Sequence, residues 1–242
     1  MNAPSLSTAG FGTPRRVGAL VDDDHKVDWL AIDIPPTRWK RALDVSVGAL
    51  ALLLLSPIML VAACLVRLTS PGPVLFHQTR IGLFERPYTM LKFRTMMPAS
   101  SDDGADISQV ARELRGEAAP DPVTNLYRPS RDPRLTPVGD FLRRFSVAAL
   151  PQLFCVIRGD MSLVGPRPAL PREVELFTPG QRRRHAVLPG LTGLWQIGGR
   201  NRLNSAEMLS LDLDYVDRCS LLLDLSILLR TPRAVLFHRF TR

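Results

Sequence analysis

The sequence predicts an α+β fold that is mostly helical: a re-entrant membrane helix plus a small cytosolic domain with interfacial amphipathic helices and a short β-hairpin. Three observations predict it. They are an uncharged apolar run from Val45 to Val66, two β-type segments around a turn, and a C-terminal stretch with leucines at helical spacing. The expected organisation is a flexible N-terminal tail over 1–35, the membrane helix over 36–68 and a membrane-associated domain over 69–242.

Residues 1–35 are polar and small, with the run Asp22-Asp23-Asp24 and a closing Pro35-Pro36, which is the composition of a tail. A straight helix of twenty-odd apolar residues, at about 1.5 Å each, would reach across a hydrocarbon core of about 30 Å. Ser56-Pro57 interrupts the run. Proline removes a helical donor and crowds the preceding turn, so a kink is expected, with the Ser56 hydroxyl placed to bond a freed carbonyl. Lys40 and Arg41 precede the run, Arg67 ends it, and Arg80, Arg86, Lys92 and Arg94 follow, so neither flank is clearly the non-cytoplasmic one. This favours a bent helix that enters one leaflet and returns, over a full span or a buried core helix. A cleaved signal peptide is not expected, given the late start of the run and the lack of a small-residue cleavage site after it.

Thr69-Ser70-Pro71-Gly72-Pro73 breaks the helix, and Val74-Leu75-Phe76 with Tyr88 to Phe93 reads as two strands around a turn at Gly82 to Pro87. Residues 98–130 read as a loop holding a short helix over Ile107 to Leu114. Phe141-Leu142, Leu150, Leu153 and Val156-Ile157 line broken helices interrupted by Pro151 and closed by Gly159, with Ser146 an expected N-cap. From Ala206 to Phe240 the leucines recur at helical spacing with Arg230, Arg233 and Arg239 between them, which suits either a cap on the core or a helix along the headgroups.

A net charge of +8 on 242 residues suits an anionic partner: phospholipid, a nucleotide or nucleic acid. The apolar run makes inner-membrane phospholipid the first choice. Nucleic acid is excluded, because aromatic residues are only 7 % of the chain and stacking platforms need them clustered. Cys64, Cys155 and Cys219 form no CxxC, which fits a reducing, cytosol-facing domain, and the scattered histidines show no zinc spacing.

Four clusters combine glycine, proline and arginine: Lys92 to Met96, Arg131 to Thr136, Gly159 to Pro168, and Pro189 to Gln196 with Gly199-Arg200. Arginine forks bind phosphate oxygens and glycine admits backbone amides close to them, so the four together point to a diphosphate site. Each alone also has a plain structural reading, as a surface ion pair or a rigid turn.

These residues carry a resemblance. Lys40-Arg41 with Asp44, the Ser56-Pro57 break, Ser70 to Phe76 with Gln78 and Arg80-Ile81-Gly82, Lys92 to Met96, Gly159 to Pro168 and Pro189 to Arg200 closely resemble the bacterial sugar transferases. These are the monotopic polyprenyl-phosphate phosphoglycosyl transferases. The resemblance spans about residues 36 to 240 and looks like the minimal catalytic unit. It implies transfer of a sugar 1-phosphate from a nucleoside diphosphate sugar, usually a UDP-sugar, to polyprenyl (undecaprenyl) phosphate at the cytoplasmic face of the inner membrane, initiating exopolysaccharide or glycoconjugate synthesis. A homo-oligomer is compatible with it. In the family an aspartate attacks the sugar-bearing phosphorus to form a covalent phosphosugar enzyme, and the adjacent glutamate helps hold Mg²⁺. Here Ala148 and Ala149 occupy those two positions, and a methyl group does neither job. Removing a covalent nucleophile costs on the order of 10⁶-fold in turnover, so an impaired or inactive chain is expected. The alanines fit an engineered variant, a natural non-catalytic relative that binds nucleotide sugar or lipid and scaffolds assembly, or an enzyme recruiting another carboxylate such as Asp160 or Asp132. By the same resemblance Lys92, Arg94, Arg131, Arg134, Arg167 and Arg200 contact substrate, and Asp160 and Asp132 sit near the metal.

Overall fold

The computed structural model describes residues 38–97, 107–116, 135–198 and 203–237. The expected tail over 1–35 lies outside them. Helix α1, Arg38–Thr69, leads to strands β1, Leu75–Ile81, and β2, Pro87–Phe93. Helices α2, Ile107–Leu114, α3, Pro137–Arg144, and α4, Gln152–Arg158, come next, then β3, Ser162–Val164. The short helices α5, Pro171–Val174, and α6, Pro179–Arg182, precede β4, Gly190–Thr192, and α7, Leu194–Gly198, and the chain closes with α8, Ser205–Arg218, and α9, Leu221–Phe237.

The 32 residues of α1 continue through Pro57. Proline withdraws the donor that Leu53 would otherwise receive, and the Ser56 hydroxyl replaces it, donating to the Leu53 carbonyl at 2.8 Å. One narrow stripe of α1 packs on the domain. Asp44, Gly48, Ala62 and Val66 are buried, while Leu52, Leu55 and Met59 lie against the same cores at helical spacing. The other faces expose Leu50, Leu53, Leu54, Leu60 and Val61. The helix is long and apolar enough to cross a membrane, and only 11 % of its most apolar stretch is buried, so its apolar surface answers to lipid rather than to this chain. This makes α1 the element that associates the chain with a membrane.

The charges at the start of α1 turn inward. Lys40 Nζ donates to Asp224 Oδ2 at 2.7 Å and to the Val164 carbonyl at 3.0 Å, and the Tyr215 hydroxyl donates to Asp224 Oδ1 at 2.6 Å. Arg41 donates to the Val156 and Ile157 carbonyls at 2.6 and 2.7 Å, in the last turn of α4, where the Val156 carbonyl also accepts from the Gly159 amide at 3.1 Å. Asp44 Oδ1 accepts from the Leu163 amide at 2.9 Å and the Ser162 hydroxyl at 3.0 Å. Lys40 and Arg41, read from sequence as the basic flank of the apolar run, therefore hold α1 to β3, α4, α8 and α9.

β1 and β2 form the expected hairpin, antiparallel from Leu75↔Phe93 to Ile81↔Pro87. Its turn, Leu83–Glu85, holds Phe84 and Glu85 at positive φ, and Glu85 is tied to Arg182 at 3.1 Å. A second pair, β3 with β4, is parallel through Ser162↔Gly190 and Val164↔Thr192. It brings together two of the glycine-rich clusters. A Cβ on Gly190 would lie 2.1 Å from the Gly165 amide nitrogen, and one on Gly193 would lie 2.4 Å from the Gly165 carbonyl oxygen. These glycines let chain approach chain. The main core gathers Leu153, Val156, Val164, Tyr215, Val216 and Ile227 from α4, β3, α8 and α9, with Met161 from the link between α4 and β3. The C-terminal stretch is two helices. Asn204 starts α8 through a reciprocal box with Glu207, with bonds of 2.7 and 2.9 Å, and α9 exposes Leu222, Leu225 and Leu229 on one side.

Candidate functional site

Ala148 and Ala149 lie in a 3-10 turn, Val147–Ala149, between α3 and α4. Ser146 enters that turn at φ 59° and makes no capping bond with its side chain, so it does not start a helix as expected. Its left-handed backbone instead redirects the chain between α3 and the turn, and Pro151 at the N-cap begins α4. Val147 and Ala148 pack against Ala62 and Val66 of α1, Phe93 of β2 and Leu142 of α3. The fold thus brings the dyad positions to the end of the Lys92-Phe93-Arg94 strand and to the second half of the membrane helix. Both positions are half-buried and present methyl groups.

Arg94 is 7 % exposed. Its Nη2 donates to the Ser70 carbonyl at 2.8 Å and lies 2.9 Å from the Ser70 hydroxyl, while Nε and Nη1 are buried with no hydrogen-bond partner. Lys92 lies over the Phe76 ring at 4.7 Å and donates to Gln78 Oε1 at 3.1 Å, an oxygen that also accepts from Arg80 Nη2 at 2.7 Å. Next along the chain, Arg143 Nε donates to the Thr95 hydroxyl at 2.9 Å. Gly139 allows α3 to close on this segment, since a Cβ there would sit 2.1 Å from the Thr95 carbonyl oxygen.

Arg167 is placed in another group of elements. It pairs with Glu173 at 3.0 Å, beside a small cavity it shares with Arg184, Ser205 and Asp212 among α2, α5 and α8. Burial works to raise the Glu173 carboxyl, and Arg167 with Arg80 outweighs it, leaving the group below its ordinary range. For Asp212 burial prevails: although it pairs with Arg184, its carboxyl is pushed up to about 6. Asp160 pairs with Arg158, whose Nη2 also donates to the Thr89 carbonyl at 2.9 Å. Among the described residues no three His, Cys, Asp or Glu side chains come together to hold a metal ion. Asp160 with its arginine and two methyl groups at the dyad are not a magnesium donor set. Arg131, Asp132, Arg134 and Arg200 lie outside the described residues.

The sequence reading missed Ser70 as the group that fixes Arg94. Its signals were its place in the breaker that ends α1 and in the Ser70 to Phe76 motif, neither of which names a partner.

Residues 36–238 match the family model described as bacterial sugar transferase. The exopolysaccharide production protein ExoY of Sinorhizobium fredii is 40 % identical over 238 residues, 98 % of each chain. The uncharacterized sugar transferase EpsL of Bacillus subtilis is 42 % identical over 197 residues, 81 % of this chain and 87 % of its own. The UDP-glucose:undecaprenyl-phosphate glucose-1-phosphate transferase of Caulobacter vibrioides is 40 % identical over 205 residues, 81 % of this chain and 69 % of its own. A match this long, reaching from the start of the membrane helix through α9, means that the chain belongs to the bacterial sugar transferase family.

Proposed function

We propose that this chain binds a UDP-sugar and polyprenyl phosphate in the architecture for sugar 1-phosphate transfer, on the pathway to an exopolysaccharide, and that the transfer itself is impaired. The observation that carries this reading is the pair Ala148 and Ala149, both half-buried, with Ala148 packed in the cluster of Phe93 at the cationic end of β2. The activity for which the Caulobacter relative is named supports the donor and acceptor classes, and the ExoY name supports exopolysaccharide. In the covalent route a carboxylate oxygen bonds to the sugar-bearing phosphorus as its bond to UMP breaks. The lipid phosphate then attacks the same phosphorus and frees the carboxylate. Alanine supplies no such oxygen. The arginines and Lys92 are left to neutralise and orient phosphates, which is a binding task. The packing of α1 along the domain supports insertion from one side of the membrane, and the cytoplasmic leaflet of the inner membrane is the side the proposed substrates require.

Purified protein with radiolabelled UDP-glucose and undecaprenyl phosphate in nanodiscs tests the proposal. Binding of UDP-glucose without UMP release is expected. The double substitution Ala148→Asp with Ala149→Glu, supplied with Mg²⁺, is expected to raise UMP release and labelled lipid at least a thousandfold. Turnover by the unaltered chain at rates ordinary for enzymes, or no gain in the double substitution across several UDP-sugars, would overturn it.

A further inference from the structure

Between β3 and α5 the chain belongs to no helix or strand, yet its carbonyls from Pro166 to Ala169 are all taken. Pro166 accepts from the Gly190 amide at 2.8 Å, Pro168 from Arg80 Nη1 at 3.0 Å and Ala169 from the Ile81 amide at 3.0 Å. Arg167 differs from its neighbours. Both of its backbone groups go to charged side chains that are also bonded to each other. Its amide donates to the two Asp212 oxygens at 3.3 Å, its carbonyl accepts from Arg184 Nη2 at 2.6 Å, and Arg184 pairs with Asp212.

Arg184 and Asp212 are both buried, and they come from the turn after α6 and from α8. A buried ion pair is a poor way to gain stability, because apolar side chains of similar volume do as well or better. What apolar packing cannot do is bond backbone in a set direction. Charge-assisted bonds on the amide and on the carbonyl fix the two peptide planes that meet at one Cα, and so fix where the Arg167 side chain starts. Its far end is fixed as well. It pairs with Glu173 at 3.0 Å, and Glu173 is itself held by the Leu170 amide at 2.7 Å. The Arg167 side chain still keeps 14 % of its surface exposed, so a group this tightly aimed remains within reach of a ligand. Such precision suits recognition, where a displacement of about 1 Å costs on the order of 100-fold.

We propose that Arg184 and Asp212 are positioning residues: they clamp the backbone of Arg167 and, through it, aim Arg167 at the nucleotide sugar without touching that ligand themselves. This rests on the function proposed above and adds two residues to it. The full chain in phosphatidylcholine nanodiscs is titrated with UDP-glucose by equilibrium dialysis, and its melting temperature is followed in parallel. Asp212→Asn keeps the shape and removes the charge, and is expected to weaken UDP-glucose about tenfold, the loss of one charge-assisted hydrogen bond's worth of aim. Arg167→Gln is expected to weaken it at least as much. Asp212→Asn added to Arg167→Gln is expected to cost less than about twofold more, because a clamp has nothing left to aim. Arg184→Met with Asp212→Leu replaces the pair by apolar side chains, which is expected to hold the melting temperature and still lose UDP-glucose about tenfold. A merely structural pair would recover binding together with stability. Full binding in that apolar double variant, losses that multiply when Asp212→Asn is added to Arg167→Gln, or UDP-glucose held equally well by Arg167→Gln would each overturn the assignment. The cycle of Asp212→Asn with Arg167→Gln decides by itself where the apolar double variant does not fold. Failure of the unaltered chain to bind UDP-glucose would instead count against the proposed function.

Discussion

At the scale of single residues, the glycines of the Gly159 to Pro168 and Pro189 to Arg200 clusters are limited by contact between two stretches of backbone. Gly190 has the Gly165 nitrogen 2.1 Å and the Thr192 carbonyl oxygen 2.5 Å from where a Cβ would be, and neither belongs to a flexible side chain that can swing away. Gly190→Ala therefore has to spread β3 from β4, and overpacking of that kind costs about 3 kcal/mol. Thermal or denaturant unfolding of the purified protein measures it. Gly180→Ala is the control, since a Cβ there meets nothing within 4 Å. Equal stability of the two variants would remove the packing account of the motif. The residue types of these motifs were legible as a pattern, but their work was not. Glycine beside arginine reads as a phosphate cradle in sequence, and only the parallel pairing of β3 with β4, three residues each and far apart in the chain, shows the glycines filled by one another. Ser146 is similar: a serine before an apolar run reads as an N-cap, and only its φ of 59° shows the chain turning there.

At the scale of elements, α1 is fastened by its first two turns. Lys40 bridges to Asp224, which is buried with its side chain 2 % exposed and also bonded to Tyr215. Lys40→Met removes one partner and leaves a carboxylate buried without its cation, a loss of about 3 kcal/mol. Lys40→Met with Asp224→Asn removes the charge on both sides and is expected to recover at least about 1 kcal/mol of that, so the two substitutions couple when unfolding is measured in a double-mutant cycle. Additive losses would show that the bridge holds nothing together. The hairpin and α2 were legible because each is marked locally: a turn bounded by Gly82 and Pro87 between β-type segments, and a short periodic run inside a polar stretch. The docking of α1 was not. A lysine and an arginine ahead of an apolar helix read as its basic flank, and their partners, Asp224 and the carbonyls of α4, lie more than a hundred residues away.

At the scale of the whole molecule, the topology in the membrane follows from which faces of α1 the domain covers. Its length of about 48 Å, at roughly 1.5 Å per residue, would suffice to cross a bilayer. Crossing requires a domain contact at one end and lipid or water at the other. Instead the stripe from Asp44 through Leu52, Met59 and Val66 runs the length of the helix against one domain, with Lys40 tied at one end and Ser70 at the other. A span would drag Arg94, Arg143 and the hairpin into hydrocarbon, where unpaired polar groups are expensive. Both ends of α1 are therefore expected on the same side. Cysteines introduced at the exposed Trp39 and Pro71, with Cys64 and Cys219 changed to serine and the buried Cys155 kept, report this in intact cells. Neither is expected to react with an impermeant maleimide until the membrane is opened, and then both should react. Labelling of one from outside and the other only after opening would mean that α1 crosses, and that the domain's contacts at one of its ends are not made in the membrane.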